Sequence, residues 1–158
     1  MPDWIDKLAE KDRAQAERRQ TQEELRLHNA KVIRAKASEW WDAVIERLQA
    51  DCSKLRETFP QDQHRQCNLI NNGMDWELSG CKLPWKILNL RLNVDGQSVD
   101  IVESIREARD RTAPVGRDAI KIGVRSDEWM EFTFKGRAYQ TPESLAQALI
   151  LYVCGNTG

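Results

Sequence analysis

An α+β protein led by an unusually long N-terminal helix is what this sequence predicts, and three observations carry the prediction. Residues 3–59 contain neither glycine nor proline, while all eight glycines fall from Gly73 onward. Towards the end of that stretch large apolar residues recur about every 3.7 positions, the period of an amphipathic helix. After Pro60 the apolar period becomes two and turn dipeptides appear between the runs, the pattern of strands joined by hairpins.

Inside a helix glycine costs ~1 kcal/mol and proline ~3 kcal/mol, so a stretch free of both and rich in Ala, Glu, Arg, Gln and Leu is read as one helix. At ~1.5 Å per residue it would reach roughly 85 Å, beyond the body of a domain this size. Part of it must stand in solvent or pack on a partner. Asp3 is the expected cap, followed by the acids Asp6 and Glu10 and a short apolar patch of Trp4, Ile5 and Leu8. Ala9 to Glu24 offers no large apolar side chain, so it is expected to be a solvated arm that orders on binding or an alanine-faced assembly contact.

Apolar spacing returns from Leu25 through Ile33, Ala37, Trp40, Val44, Leu48, Leu55 and Phe59, flanked by Trp41, Ile45 and Cys52. This is a straight amphipathic helix rather than a heptad seam. Trp40 and Trp41 lie ~100° apart around the axis, so the apolar sector is wider than one contact line. One side is expected to meet the sheet; the other meets a second chain or sinks into a concave sheet.

In the second half Asn72-Gly73 predicts a hairpin pairing Asn71 with Met74, Leu69 with Trp76 and Cys67 with Leu78. Asp95-Gly96 predicts another, with Leu88, Leu90, Leu92 and Val94 sharing a face with Val99 and Ile101. Val102 to Thr112 is assigned a short helix in preference to strand, ended by Pro114 and Gly116. Ile120, Ile122 and Val124, then Met130, Phe132 and Phe134, alternate as strands; a loop Arg125-Ser126-Asp127 would pair Ile122 with Met130. Lys135-Gly136 turns the chain to set Tyr139 opposite Phe132. Thr141-Pro142-Glu143 opens a last helix, whose Leu145, Ala148, Leu149, Tyr152 and Val153 line one side until Gly155. The sum is an antiparallel sheet of six or seven strands, a short middle helix and a C-terminal helix. Residues 1–30 form an arm and residues 31–158 the globular domain.

Charge names no partner: 24 Lys and Arg nearly balance 25 Asp and Glu. No segment resembles a signal peptide or membrane span, which points to a cytoplasmic protein. Four scattered cysteines without a CxxC pair suit reduced thiols. No nucleophile elbow, Cys-plus-His signature or phosphate-cradling glycine motif occurs, so neither an enzyme nor a cofactor is expected. His64, Cys67 and Cys81, with Cys52, form the most metal-like grouping, but zinc sites come as two tight ligand pairs, and the grouping is read as core or surface thiols.

The functional expectation is therefore a non-catalytic interaction or assembly module, an adaptor, regulatory, immunity or chaperone-like protein. It would use Trp4, Leu8, Leu25, Ile33, Trp40 and Trp41 for self-association, giving a homo-oligomer, or for docking to another protein. The alternative is a single-stranded nucleic-acid-binding module in which Arg91, Lys121, Arg125 and Lys135 surround Trp129 on the polar face of the sheet.

Overall fold

A computed structural model describes residues 3–155. Helix α1 runs unbroken over Trp4–Thr58, roughly 80 Å at ~1.5 Å per residue. Asp3 holds the N-cap position with extended backbone, yet its side chain makes no capping hydrogen bond. The helix ends at Phe59, where the following proline disfavours helical backbone. Strands β1 (Cys67–Asn72), β2 (Asp75–Gly80), β3 (Trp85–Asn93), β4 (Ser98–Ala108), β5 (Arg111–Val124), β6 (Met130–Phe134) and β7 (Arg137–Tyr139) follow, then helix α2 (Pro142–Val153). Each strand pairs antiparallel with its sequence neighbours, giving a seven-stranded meander.

The apolar alternation places Leu78, Leu88, Leu90, Val99, Ile101, Ile120, Ile122 and Phe132 on one face, all buried. The second part of α1 and all of α2 cover that face, so the fold is α+β with helices on one side of an antiparallel sheet. From α1 the core takes Ile33, Ala37, Trp41, Val44, Ile45, Leu48 and Cys52. Burying each large side chain among them is worth about 1.5–3 kcal/mol. The wide apolar sector is satisfied within the chain because α2 packs beside α1 and takes the flank that the sheet does not reach. Trp40 stacks on Phe132 with ring centroids 3.7 Å apart and planes 8° from parallel. In α2 the expected start is in place: Thr141 Oγ1 accepts the Ser144 backbone N–H at 3.2 Å, and Pro142 fills the first turn.

The second and last hairpins have the expected registers, Leu92 opposite Val99 and Phe132 opposite Tyr139. Two others are shifted. The first hairpin turns on Gly73-Met74, with Gly73 at φ +77°, and pairs Leu69 with Leu78 and Cys67 with Gly80. The loop between β5 and β6 spans 125–129 and pairs Ile122 with Phe132. Both shifts are by two residues, so every side chain keeps its face, and face alternation alone cannot distinguish such registers.

The segment 102–112 is not the expected short helix: 102–108 complete β4, 109–110 turn the chain and 111–112 begin β5; the only short helical piece among the described residues is a 3-10 turn at Gln63–Arg65. As strand, β4 pairs with β3 on one side and β5 on the other, whose facing backbone groups a helix there would leave without partners. Pro114 and Gly116, expected to terminate the element, lie inside β5 instead. Pro114 is tolerated because β6 pairs only with 121–124, leaving that end of β5 an edge, and a bulge lies opposite between Glu103 and Ser104.

Candidate functional site

The projecting part of α1 dominates the surface. Residues 3–28 are all exposed, including Trp4 at 70%, Ile5, Leu8, Leu25 and Leu27. At ~100° per residue, Trp4, Ile5 and Leu8 fall in the same angular sector as the buried stripe from Ile33 to Cys52, so the apolar face continues after a polar gap. The arm carries seven acids and six bases over 3–28. Where it leaves the body, His28 Nε2 meets Glu128 Oε1 at 2.8 Å and Arg34 lies 3.8 Å from Asp95.

Of the six residues expected to meet a partner, Trp4, Leu8 and Leu25 are at the surface. Ile33 and Trp41 belong to the chain's own core and Trp40 is half-buried against Phe132 of the sheet. Beside Trp40 lies an apolar groove of about 440 Å³, lined by Ala43, Trp129, Met130 and Pro142 with Lys36, Glu39 and Glu128 at its margin. Sequence reasoning missed this groove, since it joins α1 to a loop and to the start of α2, three segments distant along the chain.

The alternative nucleic-acid surface is not assembled. Arg91 and Lys121 do lie on the face away from the helices, but Arg91 is ion-paired with Asp75. Arg125 sits in the β5–β6 loop, 3.8 Å from Asp127. Trp129, 55% exposed, donates from Nε1 to the Gln140 carbonyl at 2.9 Å and lines the groove on the helix-covered side. Lys135 also belongs to that side: its Nζ is 2.8 Å from Asp118 and 5.1 Å from the Tyr152 ring centroid. The longer loop before β6 takes Trp129 out of the strand alternation that placed it on the polar face.

Next to Lys135 is a polar cluster without precedent in the sequence reading. Glu103 lies on the core face of β4 and is only 7% exposed; the Tyr152 hydroxyl donates to its Oε1 at 2.6 Å. Lys86 Nζ sits 3.9 Å from the same ring. Burial first, then the hydrogen bond to Glu103, pushes the Tyr152 phenol above its usual range. The Asp118 carboxyl is held low mainly by its hydrogen bond with Lys135, whose ammonium is correspondingly held protonated to higher pH. These groups satisfy one another under the end of α2.

The four cysteines gather at a single corner. Cys52 near the end of α1 and Cys67 at the start of β1 are buried, with sulfurs 2.7 Å apart. Cys154 after α2 and Cys81 after β2 are half-buried and line a cavity of about 330 Å³ together with His64. His64 is exposed on the 3-10 turn, outside β1, and so is not set opposite Cys81 by any strand pairing. Among the described residues no group of three or more His, Cys, Asp or Glu is arranged to hold a metal ion, and no helix is long and apolar enough to cross a membrane.

No protein-family model, curated protein or solved structure matches this chain.

Proposed function

We propose that the protein is a non-catalytic assembly module whose projecting helix pairs with a second copy of the chain. One observation carries the reading: a helical arm of residues 4–27, every one of them exposed, ends in Trp4, Ile5 and Leu8 and continues the buried apolar stripe. An unsupported helix gains little beyond propensity, and its stability in proteins comes chiefly from packing an apolar face. Near-balanced charge on the arm supports self-pairing, since two copies laid side by side need not repel.

An antiparallel, two-fold arrangement would place the tip of each arm near the base of the other, where the groove beside Trp40 and Trp129 offers apolar cover. Docking to a different protein through the same face is the competing form of the proposal. A cytoplasmic setting is the compartment we assign, supported by four unpaired thiols.

Light scattering on the full chain and on a Trp4→Ala/Leu8→Ala variant tests the reading. A dimer that the double substitution converts to monomer supports it. A monomeric full chain at hundredfold higher concentration than a working assembly needs, together with no partner retained in a pull-down, refutes it.

A further inference from the structure

The sheet leaves several stretches of edge free and shields all but one. β7 is very short and carries Arg137. The part of β5 that β6 does not reach carries Pro114, Arg117 and Asp118 and is bulged in its pairing with β4. Charge, proline, bulges and shortness are the ordinary defences of an open edge. β1, at the other end of the sheet, has none of them: it reads Cys-Asn-Leu-Ile-Asn-Asn, without charge or proline, and pairs with β2 from Cys67 to Asn72 without a register shift. We propose that β1 is a pairing edge for a second copy of the chain, two β1 strands joining antiparallel about a two-fold axis at Ile70 and continuing one sheet into the next.

Backbone direction fixes the register. The turn at Gly73-Met74 closes on Asn72 and Asp75, and a two-residue turn closes on a hydrogen-bonded pair. Asn72, Ile70 and Asn68 therefore bond to β2, while Asn71, Leu69 and Cys67 turn their N–H and C=O groups outward. Arg56 agrees with that alternation: its guanidinium donates to the Cys67 carbonyl from the free side at 3.5 Å, and to the Asn68 side chain. Among the described residues nothing bonds the outward backbone groups of Leu69 and Asn71. A second β1 laid antiparallel takes all of them when Leu69 pairs with the partner's Asn71 and Asn71 with the partner's Leu69. Arg56 then closes the ladder at each end.

The side chains suit a partner of the same sequence. Ile70, 48% exposed on the face away from the helices, falls on the axis against its own copy, in the closer, non-hydrogen-bonded kind of pair. Asn68 faces the partner's Asn72, amide to amide, and no charge is set against its like, which is what a charged strand meeting itself would suffer. The same register sets the partner's Gly73 opposite Cys67, so the tip residue Met74, 79% exposed, arrives near the end of α1. A groove of about 280 Å³ between α1 and β1, lined by Gln49, Cys52, Ser53 and Arg56, lies there to cover it. The arm leaves the body at the loop between β5 and β6, far along the sheet from β1, so the edge contact does not depend on the pairing of arms. Where both contacts form they alternate, and copies are strung into rows in place of a closed pair.

The ladder is short, so this is the weaker contact and shows in concentrated protein. Sedimentation equilibrium on the Trp4→Ala/Leu8→Ala chain, from about 5 μM to about 1 mM, reads the edge free of arm pairing, and a rise from monomer towards dimer is expected. Ile70→Lys sets two ammonium groups together at the axis, and Asn71→Pro removes an outward N–H that β2 does not use. Each should raise the concentration of half-association by more than about tenfold, with thermal melting of the dilute protein close to the parent's. The amides of Leu69 and Asn71 should gain protection from hydrogen exchange as the protein is concentrated. A chain that stays monomeric throughout, association undiminished in both variants, or Leu69 and Asn71 amides that exchange as fast in concentrated as in dilute protein would each overturn the proposal. Protection of those amides by a Val-Thr repeat peptide but not by concentrated protein would give the edge to a different chain and overturn self-pairing. The pairing of arms fails separately, when the tip substitutions leave association of the dilute protein unchanged.

Discussion

Gly80 offers a test in which two opposing effects predict opposite signs. It closes β2 opposite Cys67, and a Cβ added there would sit 2.8 Å from the Val153 carbonyl oxygen and 3.1 Å from Trp85 Cβ. Ordinary contact begins near 3.4 Å, so the end of α2 must withdraw by about 0.6 Å, and the obstacle is backbone rather than a yielding side-chain tip. Were space not limiting, alanine would help, because glycine within a strand costs roughly 0.5–1 kcal/mol relative to alanine. Overpacking a close-packed contact costs about 1–3 kcal/mol, leaving a net loss of up to about 2.5 kcal/mol. At 2–4 °C per kcal/mol for a chain of this size, thermal unfolding followed by circular dichroism is expected to show Gly80→Ala melting lower, by up to about 10 °C.

Gly123 in β5 is the control. A Cβ there meets only Glu131 Cγ at 3.9 Å, so Gly123→Ala is expected to be neutral or to raise Tm by about 1–4 °C. If Gly80→Ala melts at or above the parent while Gly123→Ala behaves as stated, the close approach of α2 to β2 is not what glycine preserves.

Tyr152→Phe removes the donor to buried Glu103 and is expected to cost about 1–3 kcal/mol in urea unfolding at pH 7. Because the folded Tyr152 pKa is raised, its contribution is full below ~10 and lost as pH climbs through the folded value, so the variant should show a flatter alkaline limb. Asp118 has the opposite sign: its lowered carboxyl stabilises above ~3.9 and that contribution fades as pH falls, so Asp118→Asn should lose part of the acid limb, by a small amount given its solvent exposure. Hydrogen exchange on dilute protein, below any dimerisation, is expected to leave amides of 4–28 far less protected than those of 33–52; equal protection would show the arm to be held by contacts other than those described. Trp40→Ala is expected to cost about 3–5 kcal/mol by emptying the stack on Phe132, whereas Trp4→Ala should change monomer stability by no more than about 0.5 kcal/mol.

What the sequence determined by itself is what local periodicity encodes. A stretch without glycine or proline set the 55-residue helix, alternation set which face of each strand is apolar, and Thr141-Pro142 set the start of α2. Tight two-residue turns at Asp95-Gly96 and Lys135-Gly136 also fixed their registers, because the turn itself admits one pairing. Tertiary structure decided everything that two distant segments settle between them. Registers that differ by two residues bury the same faces, so the pairings of Leu69 and Ile122 waited on the whole sheet. Residues 102–108 became strand because β3 and β5 lie on either side and pair with β4, a gain absent from any local window. Trp41 and Ile33 turned inward because the sheet and helices close into one core that buries both, where a partner was expected. The gathering of Cys52, Cys67, Cys81 and Cys154, and the Glu103–Tyr152 contact, had no periodic trace at all, since a cluster drawn from four elements is a property of how the faces pack and not of the order in which residues follow one another.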